Sequence, residues 1–425
     1  MGNMMQGSSF GSMLLAASLT ALGPSAASAE EWTLTTLYSF KGIGDGQIPS
    51  GGVVADASGA LYGTTRGAGE PDQWGTVFKL TPPSGGATGW SEQVLLHFPG
   101  GASGSGPLAG VIFGPAGSLY GTASGGGAGG VAYRLYPPAP GIERWHPSLL
   151  YSFANGDGPS ADLLVGPRNA LYGTAVSSDP PESSGSGSAF ALVPPKIAGG
   201  AWTLSYLHIF TGKDGDGELP ESALIADTSG ALYGTTSGGG YRENGIVFKL
   251  TPPTVAGGTW TETILHTFLG ESEDDGSTSN VSLVMDKKGA LYGTTFWGGT
   301  NNLGTIFQLT PPTSSTGKWG YSILHNFTGP DGANPASPLL LSSTGEFYGM
   351  TSGDGSANYG TVFRLTPPTA SGGEWTVKVL YSFSGGTDGS GPSGPLLLLH
   401  SAFYGTTETG GSEGNGTVFE LAASP

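Results

Sequence analysis

The chain has 425 residues, a net charge of −17 and only 15 Lys and Arg. It therefore lacks the basic footprint that neutralises nucleic-acid phosphates, and it would be repelled by anionic lipid. With no cysteine, it can have no disulfide, no thiol nucleophile and no Cys-ligated zinc. Gly (78) and Pro (31) together make up about a quarter of the residues, a share that accompanies disorder unless a period organises it.

Residues 1–29 stand apart from the rest. The apolar run Met13-Leu14-Leu15-Ala16-Ala17-Ser18-Leu19-Thr20-Ala21-Leu22 has the length of a signal-peptide core. Ala27-Ser28-Ala29 before Glu30 has the small residues of a cleavage site, although no Lys or Arg precedes the run. The expectation is an exported protein, periplasmic or secreted, with residues 30–425 as a single domain. No other segment reaches the ~18 apolar residues of a membrane span.

From there the chain repeats. Leu-Tyr-Gly-Thr-Thr or a close variant recurs at Tyr62, Tyr120, Tyr172, Tyr233, Tyr292, Tyr348 and Tyr404, a period of about 57 residues that implies one supersecondary unit copied along the chain. Each unit opens with an apolar run, as at 52–56 and 222–227. A turn of the form Asp-x-x-Gly follows (Asp56 to Gly59, Asp227 to Gly230, Asp286 to Gly289). Asp can accept from the backbone ahead of it and Gly supplies positive φ, which is hairpin chemistry. The Leu-Tyr-Gly-Thr-Thr run comes second, then a Gly-rich loop of variable length. The third run, Gly-Thr-Val-Phe-Lys-Leu-Thr-Pro-Pro at 75–83, alternates as a strand does and stops at prolines that cannot donate to a ladder. The fourth begins at Trp and ends at Phe: 32–40, 90–98, 145–153, 202–210, 260–268, 319–327 and 375–383. The third unit is the most divergent, with Pro167-Arg168-Asn169 in place of Asp-x-x-Gly.

Four strands per unit make one blade of a β-propeller. After the signal the chain opens on a fourth run (32–40) and closes on a third run (416–421). The prediction is an all-β, seven-bladed propeller whose last blade is completed by the N-terminal strand, a closure that removes the open edge. The Trp, Leu-Tyr and Phe positions are expected to pack between blades.

These units resemble the Gloeobacter/Verrucomicrobia repeat of the choice-of-anchor tandem repeat GloVer-containing proteins, over about residues 31–421. The resemblance implies an exported protein, often tethered by a C-terminal segment, and carries no catalytic residues to transfer. No anchor is visible after Leu421, so a free exported protein is expected here.

A group present in every unit serves the fold; chemistry needs a group that breaks the symmetry. His208, His266 and His325 occupy the place of Tyr38, Tyr151 and Tyr381 in other units, so they read as ring-for-ring substitutes. Asp-Gly pairs precede the first run at Asp45, Asp157, Asp216, Asp275, Asp331 and Asp388. Their loops lead into the inner strands, so these carboxylates are expected at the channel mouth, either as repeated Asx turns or as oxygen ligands for Ca²⁺. Aromatics replace Gly or Ser in the variable loops at Trp74, Tyr241, Phe296, Trp297 and Tyr359. They read either as ligand-stacking rings or as caps folded over the blade edge. His400, beside the last inner strand, is a further ligand candidate.

The reading that follows is a non-catalytic, monomeric platform for a glycan, a peptide or a cell-envelope component. One alternative is a lyase, lactonase or glycosidase using channel carboxylates, with or without calcium; the other is a structural surface or matrix protein. Propellers host all of these, so the fold does not choose.

Overall fold

The two ends of the sequence share one sheet. In the computed structural model, Trp32–Ser39 pairs antiparallel with Thr417–Ala423, in the register Leu34↔Leu421, Thr35↔Glu420 and Thr36↔Phe419. The sheet continues through Ala402–Thr409 to the innermost strand, Ser390–Leu399. Six further sheets follow the same plan, the first from Val54–Ala55, Leu61–Thr65, Thr76–Thr81 and Ser91–His97. The whole is a seven-bladed β-propeller closed by its N-terminal strand. The structure describes residues 30–424 apart from 68–73, 86–87, 127–128, 140–141, 143, 155–157, 177–185, 198, 256, 315–316 and 371. The expected signal peptide lies outside the described residues.

Each letter of the repeated motif has a physical task. In the first unit, Leu61 is fully buried. The Tyr62 hydroxyl donates to Asp56 Oδ2 at 2.9 Å, while Asp56 Oδ1 accepts from the N–H groups of Ser58 and Ala60 at 2.8 and 3.1 Å. Gly63 leaves room for the third-strand ring, because a Cβ there would lie 2.6 Å from Phe78 Cζ. The same 2.6 Å separates Gly234 from Phe248, Gly293 from Phe307, Gly349 from Phe363 and Gly405 from Phe419. The first Thr ties one blade to the next: Thr64 Oγ1 donates to Ala109 O at 2.7 Å, and Thr406 Oγ1 donates to Gly51 O at 3.2 Å. The second Thr holds its own sheet, with Thr65 Oγ1 and Thr76 Oγ1 2.8 Å apart.

Aromatic rings fill the seams between blades, as the Trp and Phe spacing predicts. Phe40, Phe210, Phe268, Phe327 and Phe383 end fourth strands and meet Phe78, Phe248, Phe307, Phe363 and Phe419 of the following blade at 5.0–5.4 Å between centroids. Trp145 stands edge-on to Tyr62 at 6.0 Å, and Trp260 to Tyr172 at 6.3 Å. Such edge-to-face pairs add about 0.5–1.5 kcal/mol beyond their buried area.

The inner strands differ from expectation. In most units they pair with their neighbour over only two residues, as Val54–Ala55 and Ile225–Ala226 do. Before them the chain bends sharply around the axis: Ile48, Leu219, Thr278 and Asn334 all adopt positive φ (57°, 53°, 58° and 54°). Two of these are β-branched, and such a conformation costs of order 1–3 kcal/mol. The strain is held in place because each N–H donates to a carbonyl of the preceding blade, at Asn415, Ser186, Asn244 and Leu303 respectively. In several units the connector also pairs with the Gly-rich loop, as Gly217–Glu218 does with Gly238–Gly239, Gly276–Ser277 with Trp297–Gly298, and Gln47 with Gly67.

Candidate functional site

The variable loops carry rings into solvent. Trp74, Tyr241, Trp297 and Tyr359 are 57%, 76%, 43% and 42% exposed. They sit where second strands end and the connectors from fourth to first strands begin, so they share one face of the ring. Three of them rest on glycine backbone in those connectors. A Cβ at Gly100 would meet Trp74 Cδ1 at 2.9 Å, and Cβ atoms at Gly215 and Gly385 would meet Tyr241 and Tyr359 Cζ at 2.6 Å. Each of the three thus packs on a turn, as the cap reading expects, while part of its surface stays exposed. Phe296 instead lines the axial cavity and touches Trp297 edge-to-face at 5.1 Å.

His400 is not brought to this face. It lies in the tight turn between Ser390–Leu399 and Ala402–Thr409, with φ 50°. That turn opens the second strand, whereas the variable loop follows its other end.

The Asp-Gly carboxylates are occupied within their own turns. Asp45 accepts from the Tyr38 hydroxyl at 2.6 Å and from Lys41 N–H at 3.1 Å. Asp388 pairs likewise with Tyr381 and with Ser384 N–H, at 3.0 and 2.8 Å. Where His replaces Tyr, its Nε2 takes the hydroxyl's place: His208 to Asp216 at 3.3 Å, His266 to Asp275 at 3.1 Å and His325 to Asp331 at 2.7 Å. The ring-for-ring substitution thus has a shared carboxylate partner. Burial by itself would raise Asp216, Asp275, Asp331 and Asp388, but the hydrogen bonds outweigh it and hold all four below the usual carboxylate range. Asp45, Asp216, Asp275, Asp331 and Asp388 are absent from the walls of the axial cavity. Asp157 lies outside the described residues.

That cavity, of about 430 Å³, is ringed by one residue from each unit: Ser50, Leu108, Ser160, Glu221, Asn280, Ala336 and Ser393. Asp162 stands among its walls two residues after Ser160, where the next two units carry Ala223 and Ser282. Asp162 Oδ1 accepts Gly110 N–H at 2.8 Å across the seam, as Ser282 Oγ accepts Ala223 N–H at 3.1 Å. Burial pushes the Asp162 carboxyl up, with the Gly110 N–H opposing. Glu221 is also raised by burial, against a hydrogen bond with Ser237. The side-chain oxygens of Ser160 and Asn280 are buried without a protein partner. This polar group breaks the sevenfold pattern on three neighbouring units. Aligning the units on the buried Val53, Val111, Leu163, Leu224, Leu283, Leu339 and Leu396 would have exposed Asp162 and Glu221 as charged exceptions in the sequence.

Three overlapping stretches, residues 25–175, 73–284 and 254–425, match the model of the Gloeobacter/Verrucomicrobia repeat. The chain belongs to that family. No curated protein matches the sequence. Among solved structures it is similar to the extracellular domain of a one-component system from B. thetaiotaomicron, with TM-score 0.52 and 11% identity. That match covers 92% of this chain and 40% of that one. A 6-phosphogluconolactonase from Bacteroides uniformis gives TM-score 0.47 at 13% identity, covering 77% of this chain and 82% of that one. Trypanosoma rangeli sialidase gives 0.42 at 10% identity, covering 92% and 59%. Identities this low speak to the fold alone. Among the described residues no helix is long and apolar enough to cross a membrane.

In this Gloeobacter/Verrucomicrobia repeat protein, then, the repeated residues build and seal the ring. Differences between units include the aromatic rim and the polar arc of the axial cavity.

Proposed function

We propose that this chain is an exported, non-catalytic platform that binds a glycan through the aromatic rim formed by Trp74, Tyr241, Trp297 and Tyr359. The observation that carries the reading is that these large rings stay 42–76% exposed although three are fixed against glycine backbone. A ring already immobilised pays little entropy on binding and offers a flat apolar face to a sugar. The surrounding acidic chain, at −17, disfavours polyanionic ligands. A glycan array probed with the full chain tests this. Binding should fall roughly 30-fold or more when Tyr241 and Trp297 are both changed to Ala, the loss of about 2 kcal/mol typical of an aromatic anchor. An array with no bound glycan, or equal binding by the double variant, would overturn the reading.

One observation favours a second reading, an enzyme acting in the axial cavity. Asp162 and Glu221 are both raised by burial, which suits a general acid. On that reading Asp162→Asn abolishes turnover in a panel of lactones and glycosides, while rim variants leave it unchanged.

A further inference from the structure

The seam between the third and fourth blades carries a side-chain cluster that no other described seam matches. His208 is on the fourth strand Thr203–Ile209, Asp216 is in the following turn, and Glu262 is on the fourth strand Thr261–Thr267 of the next blade. His208 Nε2 lies 3.3 Å from Asp216 Oδ1 and 3.6 Å from Glu262 Oε2. One donor atom from each residue falls within 4.8 Å of the others, and no other such trio of His or carboxylate side chains occurs among the described residues.

We propose that His208, Asp216 and Glu262 form a binding site for Zn²⁺ or a similar divalent transition cation, which pins the outer edges of the two blades together. Zinc bonds of about 2.0–2.2 Å in tetrahedral geometry place neighbouring ligand atoms roughly 3.3–3.6 Å apart. The two measured separations from His208 fall in that span. One imidazole and two carboxylates leave a fourth position for water, and the side chains are 22%, 15% and 15% exposed, enough for an ion to enter.

Two geometric observations favour a cation at this position. Glu262 Oε1 is buried and has no hydrogen-bond partner, a costly state for a carboxylate oxygen. The Asp216 carboxylate is also held in place from outside the cluster. Its Oδ2 accepts from Thr211 N–H and Oγ1 at 2.7 and 2.8 Å, and Oδ1 accepts Gly217 N–H at 2.7 Å. Such outer contacts are what orient metal ligands.

The repeat supplies internal comparisons. The seam of Tyr38, Asp45 and Glu92 keeps both carboxylates but has a phenol in place of imidazole. The seam of His266 and Asp275 has Tyr321 where Glu262 stands, stacked on the His266 ring at 3.7 Å. His325 and Asp331 are followed by Val377 at that position. Only the third-to-fourth seam combines all three donors among those described.

Titrate the full chain with Zn²⁺ by calorimetry, follow the melting temperature, and use Co²⁺ absorption to report the ligand geometry. The expected result is one ion per chain, a raised melting temperature and a tetrahedral Co²⁺ spectrum. His208→Tyr and Glu262→Leu should each weaken binding at least tenfold. Both should fold, since Tyr38 and Tyr381 stand at the first position, and Leu34 and Leu204 at the second. Glu92→Leu should bind as the parent does. No Zn²⁺ binding by the parent chain, or binding that both seam variants retain, would overturn the proposal. Neither outcome bears on the rim, which the glycan array tests separately.

Discussion

Replacing Gly234 with Ala isolates the packing rule behind the repeated Leu-Tyr-Gly. The residue is in the strand Leu232–Thr235 and is not among the positive-φ positions, so alanine meets no backbone strain. It meets atoms instead: the new Cβ would lie 2.6 Å from Phe248 Cζ and 3.1 Å from both Phe248 Cε1 and Leu224 Cδ2. Phe248 cannot retreat, being fully buried and packed against the tilted Phe210 ring at 5.0 Å. Overpacking of this kind costs about 1–3 kcal/mol. Phe248→Ala alone should cost about 3–5 kcal/mol. The double variant should cost less than the sum by at least 1 kcal/mol, because the added methyl enters the space the ring leaves. Gly230→Ala serves as control: nothing lies within 4 Å of its Cβ, but φ is 85°. It should destabilise through strain and show no coupling to Phe248. The measurement is a double-mutant cycle from urea unfolding followed by tryptophan fluorescence. A cost for Gly234→Ala below about 0.5 kcal/mol, or additivity with Phe248→Ala, would refute the reasoning.

Three more expectations can be checked alongside. Glu92 has its carboxyl pushed up to about 7 by burial, with Asp45 reinforcing and Lys41 opposing. A raised folded-state value means its contribution is favourable below about pH 4.5 and is lost as pH rises through about 7. Glu92→Leu should therefore gain about 1–2 kcal/mol at pH 8 relative to its effect at pH 4, after discounting for partial solvation, as read from urea unfolding at the two pH values. Asp227 accepts from Ser229 N–H, Ser229 Oγ, Ala231 N–H and the Tyr233 hydroxyl. Asp227→Ala should cost about 2–3 kcal/mol at neutral pH. Burial would raise Asp227, but its hydrogen bonds hold it below 3.8, so this cost should shrink only as pH falls through that depressed value. Thr235 Oγ1 donates across a seam to Val281 O at 3.3 Å. Thr235→Val should lower stability by about 1 kcal/mol and speed amide exchange at residues 281–283, observable by hydrogen-exchange mass spectrometry.

How much was legible in the sequence follows from how the physics repeats. The strand order and the seam aromatics recur from unit to unit, so each unit checks the others, and the phase of the two chain ends gives the single split blade. Trp74, Tyr241, Trp297 and Tyr359 were visible because a large ring interrupts a Gly-rich pattern, and strands do not require it. The Asp-Gly carboxylates were expected at the channel mouth because their loops lead there. The backbone N–H groups of Thr211, Leu269, Thr328 and Ser384, with the fourth-strand rings, instead turn them into the seams. Asp162 and Glu221 went unnoticed because they follow no local motif. Their distinction appears only when the units are aligned on core residues such as Leu163 and Leu224. Glu262 was harder still: its partners His208 and Asp216 belong to the neighbouring blade, so no local spacing in the sequence joins them.

The central claim is that both extremities of the chain complete one blade. Thr35 and Glu420 face each other across that sheet, and the native chain has no cysteine to compete. Changing both to Cys and oxidising the folded protein should give a single intramolecular disulfide, seen as a faster-migrating monomer on a non-reducing gel and a raised melting temperature that reductant reverses. A chain that stays reduced, or that links only between molecules, would contradict the closed ring.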